Sequence, residues 1–249
     1  MSKKLPVRVK NELKFRELTV ESKTLIADIF YRIVFTSPGL SDFASHGFDD
    51  HVKVFFPAAG AKLALPTVSE EGIVWQDGYR PQARDYTPLD FSQEKNSLTL
   101  DFYIHEHGVA SQWAAGAKPG DSLVIGGPRG SLVIPTDYAW QLYLCDESGL
   151  PAVYRRLQEL PASPRIEVLV SSEQARGQEY LAPFSGVNIR WLTPDNLQAS
   201  LDSLPLPDED YFIWLTGEAN EVKRLSDYFL TVRQVDADLL RALAYWHKK

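Results

Sequence analysis

Residues 140–172 read WQLYLCDESGLPAVYRRLQELPASPRIEVLVSS. WQLYLC is a buried-type strand, PAVYRRLQEL a helix opened by Pro151, whose missing N–H is no loss in a first turn, and RIEVLVSS a second strand. The same order returns in YFIWLTG (211–217) and EANEVKRLSDYFLTVR (218–233), and DADLLRALAYW (236–246) reads as a further helix. Alternating strands and helices imply a parallel sheet with helices packed on it.

Upstream the pattern differs. Short alternating or β-branched runs cover Leu25–Phe35, His51–Phe56, Ser97–Ile104 and Ser122–Ile125. Between them lie SPG (37–39), PAAG (57–60), QDG (76–78), KPGD (118–121) and GGPRG (126–130), whose Gly and Pro residues supply turns. This half predicts an antiparallel β domain, a barrel. The change near residues 134–140 divides the chain into 1–135, the β domain, and 136–249, an α/β domain closed by a C-terminal helix. No long linker, internal repeat or low-complexity segment separates them.

The chain has 249 residues, 44% of them hydrophobic and 12% aromatic, enough for two ordinary cores. MSKKLPVRVKNELKFREL (1–18) lacks the apolar stretch of a signal peptide, and no window approaches the roughly 18 apolar residues of a membrane helix. The expectation is a soluble, unexported, cytoplasmic protein without membrane insertion. Cys145 is the only cysteine, which excludes an intrachain disulfide and a four-cysteine cluster. The net charge of −7 argues against a nucleic-acid partner or anionic lipid. That charge is uneven: residues 1–135 carry 15 Lys and Arg against 16 Asp and Glu, the remainder 11 against 17. A local basic pocket is compatible with the first half.

Three segments of that half carry chemistry. In RDYTPLDF (84–91), an extended chain turns Arg84 and Tyr86 one way and Thr87 the other. The set supplies a cation for a phosphate, an aromatic plate for a ring system and a hydroxyl for a ring heteroatom. In DFYIHEHGVASQWAAGAKPGD (101–121), Asp101–His105 reads as a strand, Gly108 as a tight turn, and the residues near Ser111 as the opening of a short helix carrying Trp113 and Ala114. Backbone N–H groups at such a helix start suit a pyrophosphate. DSLVIGGPRGSLVIP (121–135) ends a strand in a glycine-rich corner that presents Arg129, which a barrel corner also explains without any ligand.

In this order and spacing the three segments resemble the FAD-binding domain of the siderophore-interacting proteins, a branch of the ferredoxin-reductase superfamily. HVKVFFP (51–57), LPAVYRRLQELP (150–161), WLTGEANEVKRL (214–225) and the terminal AYW extend the resemblance over most of the chain. It implies that Tyr86 packs against the isoalloxazine, Thr87 approaches its N5 region and Arg84 contacts the pyrophosphate of FAD. Asp101, Ile104, His105, Gly108, Ala110 and Ser111 are then expected to line the rest of the site. His105 and His107 share one face of a continuous strand, but no third metal ligand is identifiable, so a flavin-contacting or structural role is assigned to His105.

The resemblance also implies a bound ferric siderophore near the flavin, with Lys53 and Arg129 in a basic pocket and His247 and Lys248, followed by Lys249, near the chain end. His247 stands where family members commonly have Arg. The second domain is expected to take a nicotinamide, yet DESG (146–149) after the first strand holds two carboxylates and one glycine, which is no G-x-G-x-x-G site. Ser171, Ser172 and Arg176 are candidates for a 2′-phosphate, and equally read as a capped turn with a solvated Arg. NADH, NADPH and reduced ferredoxin all stay open as donors. The expected activity is FAD-dependent reduction of ferric siderophores to release iron(II), with no acid, base or nucleophile to assign. Flavin or quinone reduction on the same scaffold, and siderophore binding without redox turnover, are the competing readings.

Overall fold

The computed structural model describes residues 4–58, 61–69, 72–75, 81–161, 163, 165–173 and 176–248. The turn expected at 76–78, the end of PAAG and Lys249 lie outside the described residues. The chain divides into two units, one of Val7–Val133 and one of Ile134 onward together with the residues before Val7.

The first unit contains β1 (Val7–Lys10), β2 (Phe15–Ile26), β3 (Phe30–Thr36), β4 (Val52–Phe56), β5 (Thr67–Ser69) and β6 (Gly72–Val74). There follow β7 (Gln82–Tyr86), β8 (Asp90–Ser92), β9 (Ser97–Tyr103), helix α1 (Val109–Gly116), β10 (Ser122–Gly126) and β11 (Gly130–Val133). All its strand pairings are antiparallel. Seven strands form one sheet in the order β7-β4-β10-β2-β3-β9-β8, while β1–β11 and β5–β6 are two-stranded ribbons. The sheet curls into a half-barrel. Tyr86 on edge strand β7 and Phe102 on β9, far apart in the strand order, have ring centroids 4.4 Å apart.

Alternation builds the core. Val52, Val54 and Phe56 of β4 share it with Leu98, Leu100 and Phe102 of β9, and Lys53 falls on the other face. Helix α1 covers this core with Ala110, Ala114 and Trp113, whose indole stacks on Phe35 at 6.2 Å. The run Leu25–Phe35 is two strands, not one. Ala27 and Asp28, both at positive φ, turn the chain between β2 and β3, a hairpin without the Asn-Gly or Gly signal that marks most such turns.

The second unit contains β12 (Trp140–Cys145), α2 (Leu150–Glu159), β13 (Ile166–Ser171) and β14 (Asn188–Leu192), then α3 (Pro194–Asp202), β15 (Tyr211–Glu218), α4 (Ala219–Thr231) and β16 (Leu240–Trp246). The order β14-β13-β12-β15-β16 is parallel throughout. Central strand β12 is buried along its whole length, as a strand covered on both faces must be. The C-terminal helix expected at 236–246 is instead one 3₁₀ turn, Ala237–Leu239, and strand β16. Without it, β15 would leave a row of backbone N–H and C=O groups unpaired. Pairing with Leu240–Trp246 satisfies them and overrides local helix preference.

Arg156 of α2 ties this unit's start to its sheet. Only 1% exposed, it donates to the carbonyls of Ile134 and Pro135, to the Tyr143 hydroxyl, to Gln141 Oε1 and to Glu159. Burial pushes the Tyr143 phenol up to about 12, against the opposing charge of Arg156.

Candidate functional site

Edge strand β7 carries Arg84 and Tyr86 and runs into Thr87. Tyr86 turns its ring onto Phe102, Thr87 is buried, and Arg84 is exposed, donating to the adjacent Ala83 carbonyl at 2.7 Å. Burial raises the pKa of the Tyr86 phenol, with the Arg84 charge opposing. Among the described residues its hydroxyl has no partner.

Strand β9 ends at Tyr103, two residues earlier than expected, so His105 and His107 lie in a loop and share no strand face. Ser111 is the reason. Its Oγ accepts from the His105 N–H at 3.1 Å and donates to the His105 carbonyl at 2.8 Å, replacing the ladder. The His105 ring stacks on Tyr103, and burial foremost, aided by the charges of His107 and Arg84, lowers its pKa against a raising contact with the His107 backbone. Gly108 then starts α1 at φ 137°, and a Cβ there would lie 2.5 Å from His105 Cε1. No side chain caps α1, and its first helical bond runs from Gln112 to the Gly108 carbonyl. The N–H groups of Val109, Ala110 and Ser111 are therefore outside the helical ladder.

These residues fit a flavin dinucleotide. An aromatic plate with an unpartnered hydroxyl, an exposed guanidinium and a bare helix start that tolerates only glycine at its cap match a ring, a phosphate and a pyrophosphate. Some expected contacts take other roles. Asp101 is 3% exposed and bound by Arg32 through two hydrogen bonds, of 2.9 and 2.7 Å. Its carboxylate holds β3 to β9 and is not open to a ligand. Ser111 spends its hydroxyl on His105, Ala110 packs its methyl into the core, and Ile104 gives its N–H to Ile29. Of Ala110 and Ser111, the backbone is what a ligand can reach.

Lys53 and Arg129 come together. With His51 they border a hollow of about 90 Å³ floored by Leu13, Phe15, Phe55 and Gly126 and walled by Ile73. Lys53 is ion-paired with Asp85 at 2.7 Å, whereas Arg129 has no ion-pair partner among the described residues. The corner that presents Arg129 is braced from three sides. Gly127 donates to the Lys14 carbonyl, Asn11 donates to the Arg129 carbonyl, and buried Arg16 donates to the Gly127 and Gly39 carbonyls and to Asp42. Arg16 and the aromatic floor carry no local signal in the sequence that distinguishes them from ordinary strand residues. Across β4 and β7, strands about 4.8 Å apart, Lys53 pairs with Asp85 and Val52 with Tyr86, so the hollow lies one residue along from Tyr86 on the other face of the sheet.

In the second unit the strand order reverses between β12 and β15, the position where open α/β sheets bind nucleotides. Their carboxyl ends hold Asp146, Glu147 and Glu218, each engaged. Asp146 accepts from the Ser148 N–H and from Trp246 Nε1 at 2.7 Å, and Glu147 accepts from Ser172 Oγ at 2.6 Å. Glu218 accepts from the N–H groups of Asn220 and Glu221, which caps α4, and from the Lys248 N–H. Of the 2′-phosphate candidates, Ser172 is thus turned to Glu147, while Arg176 is exposed. His247 and Lys248 are exposed beside Glu218 in this unit; Lys53 and Arg129 belong to the other.

A half-barrel followed by a five-stranded sheet of this order is a fold shared with the ferredoxin reductase of carbazole 1,9a-dioxygenase, at a TM-score of 0.69 and 14% identity. Within that fold, the chain belongs to the siderophore-interacting protein family. Residues 19–132 match the siderophore-interacting FAD-binding domain, and residues 138–249 the siderophore-interacting protein domain. The NADPH-dependent ferric-chelate reductase of Escherichia coli (strain K12) is 51% identical, covering 98% of this chain and 97% of its own length. The ferric vibriobactin reductase ViuB of Vibrio cholerae is 26% identical over 94% of this chain and 89% of its own. The crystal structure of a siderophore utilization protein from T. fusca superposes with a TM-score of 0.86 at 28% identity, covering 98% and 96% of the two chains. Among the described residues no helix is long and apolar enough to cross a membrane.

Proposed function

We propose that the chain is an FAD-dependent ferric-siderophore reductase that takes its electrons from NADPH and releases iron as iron(II). The observation that carries the substrate half is the hollow bordered by Lys53 and Arg129 on strands adjoining the flavin residues. The donor half rests on the relative that is 51% identical over nearly its full length. Bound FAD would supply the coupling of two-electron to one-electron chemistry by which one NADPH reduces two iron(III) ions.

The chain's own residues supply position and charge. Arg84 and the N–H groups at the start of α1 would hold the pyrophosphate of FAD, with Tyr86 as the plate for its ring and Thr87 as a hydroxyl for a ring heteroatom. Arg129 draws an anionic chelate to the hollow in a chain whose overall charge would repel it. Lys53 contributes less, because Asp85 already offsets its charge.

Arg129→Gln tests this. Loss of one charge-assisted contact is worth roughly a factor of 10 in affinity. KM for an anionic ferric siderophore is expected to rise about tenfold with little change in kcat, and Lys53→Gln to raise it about threefold. Steady-state assays with an iron(II) trap read both constants. Unchanged KM in both variants sinks the assignment of the hollow.

A further inference from the structure

Leu18 and Val20 of β2 face the core of the first unit. Past the register shift that follows Val20, the next residue of β2 paired with a core side chain, Ile33, is Lys23. Residues directly opposite each other on antiparallel strands share a face, so a cation stands where the pattern calls for an apolar residue. Half-buried there, its Nζ donates to the carbonyls of Ala114 and Ala115 at 3.1 and 2.7 Å and lies 5.1 Å from the centre of the Tyr31 ring. We infer that Lys23 is a positioning residue for the FAD pyrophosphate, holding the far end of α1 so that the N–H groups at its start stay in place. This rests on the flavin-site reading of the first unit and adds to it a residue that no motif marks.

Helix α1 has only eight residues, too few to be stable alone, with no side-chain cap at its start and no basic residue in its last turn. Its last carbonyls have no partner within the helix, and a cation beside them complements the negative end of the helix dipole. Lys23 supplies from another strand what the helix lacks. Ala110, Trp113 and Ala114 seat one face of α1 on the core, but apolar contacts are non-directional and resist sliding along the helix axis weakly. Two hydrogen bonds from one ammonium group fix that coordinate. A helix of eight residues is roughly 12 Å long, and its backbone ladder passes a shift at Ala114 and Ala115 on to the N–H groups of Val109, Ala110 and Ser111.

The FAD dissociation constant, read from the rise in flavin fluorescence as the holoprotein is diluted, tests this. Lys23→Met is expected to raise it about tenfold, and Lys23→Arg, which keeps a charged donor, to stay within about threefold of the wild type. Leu18→Val, a core substitution on the same strand, controls for stability: it is expected to lower the urea midpoint with FAD affinity unchanged. A Lys23→Met protein within about twofold of the wild type, a Lys23→Arg protein as weak as Lys23→Met, or equal weakening of FAD by Leu18→Val at an equal loss of stability overturns the inference and leaves the flavin reading standing. A wild-type protein that holds no FAD removes that reading itself.

Discussion

Gly108→Val is expected to give a folded but nearly colourless protein. Glycine at this position is at φ 137°, where a β-branched residue is strained, and any Cβ would lie 2.5 Å from His105 Cε1. Relief requires the imidazole to move. The His105 backbone, however, is bound on both sides by Ser111 Oγ, so the displacement passes into the first turn of α1. That turn presents the N–H groups of Val109, Ala110 and Ser111, and their alignment is what a pyrophosphate needs. Strain of roughly 1–3 kcal/mol, added to two or three misaligned charge-assisted bonds, corresponds to at least a hundredfold loss in FAD affinity. Flavin fluorescence titration of the apoprotein measures it. The core beneath α1, set by Trp113, Ala110 and Ala114, is untouched, so far-UV circular dichroism stays near that of the wild type. Retention of flavin at wild-type affinity contradicts the assignment of this loop.

Arg156→Ala is expected to cost the second unit 3–5 kcal/mol, the usual loss when one partner of a buried charged network is removed. It leaves the Ile134 and Pro135 carbonyls, the Tyr143 hydroxyl and Gln141 Oε1 each short of one donor in a buried setting. It also opens a cavity at a side chain that is 1% exposed. Trp214, fully buried and 6.3 Å from Tyr143, reports the transition by fluorescence. Its midpoint should fall by about 2 M urea. A shift under about 0.3 M shows that the network does not hold the unit together. Because Arg156 lies in the second unit and the proposed flavin residues in the first, flavin fluorescence followed in the same titration separates loss of one from loss of the other.

Strand–helix alternation after residue 140 was legible because a parallel sheet buries both faces of its strands. β12 and β15 therefore read as continuous apolar runs, and α2 and α4 follow each of them. The end of the chain was not legible. LRALAYW has no strand pattern of its own, and only the open edge of β15 makes it one. β14 and α3 were missed for a related reason: NIRWL is half-buried along its length, so its composition signals neither interior nor surface.

For the site, residue types at short range were readable and partners at long range were not. Arg84, Tyr86, Gly108 and Arg129 stand out through their chemistry and their turns. Asp101 looked equally available, yet Arg32, distant in sequence, claims it. Arg16 and Gly126 acquire their roles only when strands β2, β4 and β10 are laid side by side. A glycine whose missing Cβ makes room for two neighbouring rings, as Gly126 does for Phe15 and Phe55, looks, in sequence, like any barrel-corner glycine.

On this chain electrons are proposed to pass from a nicotinamide through FAD to a ferric siderophore. The most direct test follows the visible spectrum of the purified protein anaerobically as NADPH and then a ferric siderophore are added in the presence of an iron(II) trap. The flavin bands are expected to bleach on NADPH and return as the trap develops colour, with two iron(II) formed per NADPH consumed. A flavin that bleaches and is never reoxidised by any ferric chelate, or a protein that binds no flavin, contradicts it.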